Sequence, residues 1–197
     1  ILFANPLLLI ETLSTGHNDL WMMVPALLAI LALLTFQQTR RVVYLLLASL
    51  VYAFSLSTKW ATFAILPILL VQANWLWLKQ LLTKLPAQLR HFVPWFESNW
   101  PTLASIAMFM PLVTARSQQF HPWYLIWALV WLPLMRKHIW FEVLLVFSFS
   151  SMLRYIPWLL AGGYSPQVLL EQKLITWGIP ALWLIMRFAY AKIAPTK

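Results

Sequence analysis

The chain has no cysteine, only four glycines and only five carboxylates in 197 residues. Without cysteine there is no disulfide framework, no thiol nucleophile and no cysteine metal site, and redox chemistry says nothing of the compartment. Four scattered glycines cannot build a glycine-rich phosphate loop, which argues against a nucleotide-using enzyme on the cytoplasmic side. Five acids leave few groups for hydrolysis of the soluble kind. Charged residues of both signs reach only 10%, where soluble domains carry about a quarter.

What is present is apolar. Hydrophobic residues make up 62% of the chain and the mean hydropathy is +0.75. They come in long runs, as transmembrane helices do. Thirteen Trp and six Tyr suit the aromatic belts at membrane interfaces. The net charge of +9 is scattered between apolar runs and forms no continuous patch, so it points away from nucleic acid. The opening ILFANPLLLI has no basic segment and no small-residue cleavage site, so a signal peptide is not expected there. It starts inside apolar sequence without Met, and we read the chain as a fragment that lacks its N-terminal part.

The runs predict an all-α, polytopic transmembrane helix bundle of about seven spans, at 20–36, 42–56, 60–78, 102–115, 123–135, 139–153 and 174–190. Lipid offers no partner to free backbone groups, so helix is the state expected, and the period-2 alternation of a β-barrel is missing. With the His17 end outward, the inner connectors hold Arg40, Arg41, Lys79, Lys84, Arg90, Arg136, Lys137, Arg187, Lys192 and Lys197. The outer ones hold Lys59, Arg116, Arg154 and Lys173. The bias of basic residues toward the cytoplasm then sets the N-terminus outside and the C-terminus in the cytoplasm. Residues 1–197 form a single transmembrane domain. Within it, 79–101 mixes basic and apolar residues and is expected to include an amphipathic piece on the inner membrane surface. Residues 154–173, broken by Pro157, Gly162, Gly163 and Pro166, are expected as an outer-face loop or half-helix. Pro25, Pro67, Pro111, Pro133 and Pro180 fall inside spans, where proline is tolerated and often kinks a helix.

The stretch TGHNDLWMM, residues 15–23, sets an imidazole, an amide and a carboxylate in a row at the mouth of an uncharged helix. The predicted outer face also gathers Lys59, Arg116, His121, Trp123, Tyr124, Arg154 and Tyr155, with Glu11 and Lys173 further out. Ionisable groups near membrane depth are costly, which makes them candidates for function. Each has a plainer reading. Asp19 can serve as an N-cap or first-turn acid worth roughly 0.5–1 kcal/mol, or Asn18 can be the cap. His17 can be an interfacial histidine bonded to backbone. Lys59, Arg116 and Arg154 can be headgroup-attracted cations, or they can hold a lipid-linked phosphate or diphosphate. Trp123 and Tyr124 can be belt aromatics, or stack against a sugar or isoprenoid. Capping alone does not call for His17, Asn18 and Asp19 together. A divalent metal at His17 and Asp19 is possible, but there is no H-x-x-x-H pair and no acidic cluster. Glu142, beside Arg136, Lys137 and His138, is read as a charge-pairing residue.

NPLLLIETLSTGHNDLWMM, residues 5–23, resembles a stretch of the membrane glycosyltransferases of the GT-C superfamily. The likeness is to the polyprenol-phosphate-mannose-dependent mannosyltransferases, with their N-P pair, an acid several residues on, and H-N-D opening a helix. FHPWYLIWALVWLPL, residues 120–134, is similar to a second patch of that family, and STKWATFAILPILL, residues 57–70, to a third, where a Lys and an aromatic precede a helix with proline. The patches keep the family's order, share one predicted side and span 5–134. The resemblance implies the C-terminal part of a larger GT-C-like bundle in the plasma membrane. It would transfer a mannose-like hexose from a polyprenyl-phosphate donor to a glycan or lipid acceptor at the outer face. It further implies that His17, Asn18, His121, Trp123 and Tyr124 contact sugar or acceptor, that Lys59, Arg116 and Arg154 hold phosphate, and that Asp19 is an auxiliary acid or metal contact. In the family the catalytic base is usually an acid in the first outer loop, so the base is expected upstream of Ile1. The alternative is a carrier or transporter of lipid-linked sugars. A transporter should place charges at mid-membrane and show repeats, and this sequence shows neither. A structural subunit would leave the outer cluster unexplained.

Overall fold

The structure, a computed structural model, describes residues 5–14, 16–84, 86, 90–114 and 120–193. Among these residues every regular element is helical. Helix α1, Pro6–Leu9, runs into a π-helical turn, Ile10–Ser14. Helices α2, Asp19–Thr39, and α3, Val42–Thr58, follow. A 3₁₀ stretch, Trp60–Ile65, leads to α4, Leu66–Ala73, and α5, Trp75–Thr83. Helix α6 is Phe92–Val113. Pro122–Leu125, α7 at Ile126–Leu129, and Leu132–Leu134 make one short interrupted helix. The chain closes with α8, Ile139–Leu153; α9, Tyr155–Ala161; α10, Pro166–Lys173; a π turn, Leu174–Gly178; and α11, Ile179–Ile193.

Among the described residues three helical runs are long and apolar enough to cross a membrane: Asp19–Thr39, Ile139–Ala161 and Pro166–Lys192. A fourth forms if Trp60–Ala73 and Trp75–Thr83, bent by 61° at Asn74, count as one broken span. The remaining candidates differ from the seven runs for physical reasons. Helix α3 has 17 residues, roughly 25 Å at about 1.5 Å per residue, short of a hydrocarbon core about 30 Å thick. The 122–134 run breaks into single turns, with Pro122 and Pro133 each placed in a first turn, where their missing N–H is harmless. Helix α6 starts ten residues before the 102–115 run, so 92–101 belongs to it, and Glu97 and Asn99 dilute its apolarity. Only the first part of the 79–101 segment lies elsewhere, at the end of α5. The 154–173 segment is two short helices, α9 and α10, each continuing a long one; Gly162 turns the chain between them at φ 67°.

The chain runs back and forth between two ends. Asp19, at the start of α2, meets Lys59, at the end of α3. Gln37, at the far end of α2, donates to Gln72 (2.9 Å) near the end of α4. At that same far end Lys79 pairs with Glu97 (2.7 Å), and Glu142 lies 3.4 Å from Arg187. The α2–α3 hairpin turns on Arg40, at φ 59°, where its N–H closes on the Phe36 carbonyl (2.8 Å). Glycine is the usual residue for such a stop.

The interior is closed by Met22, Met23, Ile65, Met108, Leu112, Leu125, Ile126, Leu129, Trp131 and Leu144. Apolar side chains also cover the outside, among them Trp21, Leu50, Phe54, Trp60, Leu160 and Ile185. An apolar outside of this extent is at odds with water and fits lipid. Several hydroxyls on these helices bond back to their own carbonyls, as Thr35 to Leu31 and Ser49 to Leu45, so these need no water.

Candidate functional site

The polar groups at the Asp19 end form one connected band. Asp19 opens α2 and is fully buried. Its Oδ1 accepts from Lys59 Nζ at 2.8 Å and from Trp127 Nε1 at 2.5 Å. Its Oδ2 is enclosed and has no hydrogen-bond donor. Capping does not account for this carboxylate, because it is spent on tertiary partners from α3 and α7. Asn18 holds the N-cap position, yet its side chain makes no capping bond and is exposed. Removing a carboxylate from water costs several kcal/mol unless a cation and donors repay it, and here both are present. Lys59 is the C-cap residue of α3, and its side chain remains 29% exposed. The ammonium is therefore fixed in place while still open on one side. Beneath it Ser55 Oγ donates to the Met22 carbonyl (2.7 Å), and Tyr52 OH donates to the Thr62 carbonyl (2.9 Å). These bonds tie α2, α3 and the 3₁₀ turn into one rigid support.

His17 lies one turn of chain before Asp19. Gly16, at φ 65°, supplies the left-handed step that leads from the π turn into α2, and the His17 amide donates to the Glu11 carbonyl (3.3 Å). The His17 ring stacks on Trp123 at 3.9 Å between centroids, 21° from parallel. His121 also stacks on Trp123, at 4.3 Å and 8°. Tyr124 stands edge-on to both Trp123 and His121, and its ring lies 5.0 Å from Trp127, which returns the band to Asp19.

The other end of the band is built on Glu11. It sits in the Ile10–Ser14 π turn and is fully buried rather than further out. Tyr155 donates its hydroxyl to Glu11 Oε1, and Glu11 Oε2 lies 3.5 Å from His17 Nε2. Arg154, next to Tyr155, donates to Thr176 Oγ1 (3.2 Å) and stands 5.8 Å from the Phe120 ring centre. Thr176 belongs to the second π turn. Both π turns of the described chain thus flank this site, and such irregular turns are frequent at functional positions.

The structure brings His17, Asp19, Lys59, His121, Trp123, Tyr124 and Arg154 into one band. Asn18 is beside it without a bond of its own side chain. Arg116 lies outside the described residues. Lys173 ends α10, away from these contacts. Glu11, Tyr155 and Trp127 complete the band with roles the sequence alone does not give them. Among the described residues no three His, Asp or Glu side chains converge as a metal site. Chemically, the band offers a fixed ammonium, a partly exposed imidazole backed by a buried carboxylate, stacked aromatic rings, and an enclosed carboxylate oxygen with no donor. No protein family, no curated protein and no solved structure matched this chain.

Proposed function

We propose that this chain belongs to a polyprenyl-phosphate-dependent membrane glycosyltransferase. It passes a mannose-like hexose from the lipid-linked donor to a glycan or lipid acceptor at the outer face of the plasma membrane. The observation that carries this reading is the Asp19–Lys59 pair at a helix mouth, continuous with the stacked His17, Trp123 and His121. A departing lipid phosphate needs a fixed cation, and sugar rings pack on aromatic faces. Lys59 and Arg154 would meet the phosphate, with Arg116 as the third cation expected from the sequence. His17, Asn18, His121, Trp123 and Tyr124 would meet sugar or acceptor. Asp19 orients Lys59.

In this reading the chain crosses about seven times, with the short helices 42–58 and 122–134 counted as spans inside a larger bundle. Alternation of the contacts between two ends supports it. The Asp19 end faces outward and α11 ends in the cytoplasm. Membrane lipids, the lipid-linked sugar and the acceptor are the partners, and nucleic acid is not.

The test is transfer of labelled mannose from polyprenyl-phosphate mannose by the protein in proteoliposomes. Lys59→Ala and Asp19→Asn are expected to lose at least about tenfold to a hundredfold of kcat/KM while inserting normally. Undiminished transfer in both variants would falsify the site assignment. Absence of transfer by the full-length protein that carries this chain, from mannosyl and glucosyl donors alike, removes the transferase reading.

A further inference from the structure

We infer that His17, rather than an upstream acid as the resemblance implies, takes the proton of the acceptor hydroxyl and that Glu11 positions it. This rests on the transferase reading and deepens it at the same site. Glu11 is fully buried, with one carboxylate oxygen bound by the Tyr155 hydroxyl and the other 3.5 Å from His17 Nε2. A carboxylate so held and aimed at one ring nitrogen selects the tautomer and stabilises the imidazolium that forms when a proton arrives. The separation is long for a hydrogen bond, as is common before substrate closes a site. The ring plane is set independently by the stack on Trp123. The side chain is 28% exposed, and with Nε2 turned to Glu11, Nδ1 is the nitrogen left for an acceptor.

The other ionisable groups around this pair are otherwise engaged. From α8–α9 come Tyr155, on Glu11, and Arg154, on Thr176; Tyr164 follows them in the chain with its ring 6.0 Å from that of Trp158. From 120–125 come His121 and Tyr124, packed on Trp123. From α2 and α3 come Asp19 and Lys59, bound to each other.

In the step, the acceptor O–H proton passes to His17 Nδ1 and the oxygen lone pair forms the bond to the anomeric carbon. The bond from that carbon to the phosphate oxygen breaks, and its electron pair leaves with the polyprenyl phosphate beside Lys59. The imidazolium then returns its proton to the departing phosphate or to water.

The experiment uses the protein in proteoliposomes, polyprenyl-phosphate mannose as donor and octyl mannoside as acceptor. His17→Ala should lower kcat by about 10²–10⁴-fold, the usual contribution of a general base, and imidazole added to the medium should restore part of the rate. Glu11→Gln should lower kcat with KM for the donor near the parent value, and the double variant should be no slower than His17→Ala alone, because residues acting as one unit are not additive. Activity of His17→Ala within about threefold of the parent, no rescue by imidazole, or a double variant whose losses multiply each overturns the pair. The first two readouts need only His17, so they decide the matter even if Glu11→Gln fails to fold. Inactivity of the full-length protein that carries this chain, by contrast, overturns the transferase reading itself.

Discussion

At the scale of single residues, the Asp19–Lys59 pair separates stability from chemistry. Lys59→Ala leaves a buried carboxylate with only the Trp127 indole as donor. The cost of such an orphaned charge is about 3–5 kcal/mol, visible as a large drop in the unfolding temperature in detergent. Replacing both partners, as Asp19→Leu with Lys59→Met, removes charge and countercharge together. That variant is expected to unfold within about 1 kcal/mol of the parent and yet to transfer no sugar. A double variant that is as unstable as Lys59→Ala would mean that the pair is chiefly a structural clamp. The sequence shows Asp19, Lys59, His17 and Trp123 as candidates because charges and rings at helix mouths stand out against an apolar chain. It does not show Glu11 as one of the group. An acid in an apolar run looks like an outlying charge, and its partner Tyr155 is 144 positions away, beyond the reach of any local pattern. Trp127 is hidden for the same reason: one indole among thirteen tryptophans has no local mark that it binds a carboxylate 108 positions away.

At the scale of elements, apolar runs locate helices well and their ends poorly. Helix α2 is found almost to the residue because Gly16 and the His17–Asp19 triplet mark its start. Helix α6 is cut short because 92–101 falls in the mixed basic and apolar 79–101 segment read as interfacial, although the structure carries it within one 22-residue helix. What holds that first half of α6 in place is its contact with α5. Trp75 Nε1 donates to Glu97 Oε1 (3.1 Å), and Lys79 pairs with the same oxygen. The Lys79 hydrogen bond, aided by the Trp75 indole, holds the Glu97 carboxyl below the usual carboxylate range, against a smaller desolvation effect. A depressed pKa in the folded chain means that the stabilisation is complete above the unfolded value, about 4.3. It is lost as pH falls through the lower folded value. Glu97 is 41% exposed, so solvent and salt screen the pair and the effect is small. The expected outcome is a decline in unfolding temperature between about pH 5 and pH 3 that is weaker in Glu97→Gln and shrinks in high salt. An identical decline in the variant would place the acid sensitivity elsewhere.

At the scale of the whole molecule, the question is how many of the helices cross. Among the described residues length and apolarity alone give three, or four with the bent pair, whereas the apolar runs of the sequence lead us to propose seven. The difference lies in neighbours: a 17-residue α3 or an interrupted 122–134 segment can sit at membrane depth only where other helices cover its ends and loose backbone. Helix α3 satisfies this in part, since Ser55 and Tyr52 reach α2 and the 3₁₀ turn. The interrupted segment satisfies it more fully, with Leu125 to Leu132 all buried. The absence of cysteine makes a direct test clean, because every introduced thiol is the sole reactive one. Gln38→Cys and Gln80→Cys lie at the Gln37 end and Tyr164→Cys at the Asp19 end, and all three positions are exposed. In intact cells a membrane-impermeant maleimide should label Tyr164→Cys at once, and Gln38→Cys and Gln80→Cys only after permeabilisation. Gln38 and Tyr164 labelled from the same side would break the seven-pass topology. Labelling of both Gln positions from outside, with Tyr164 protected, would keep the topology but invert it. The His17–Trp123 site would then face the cytoplasm, where a donor presented at the outer face cannot reach it.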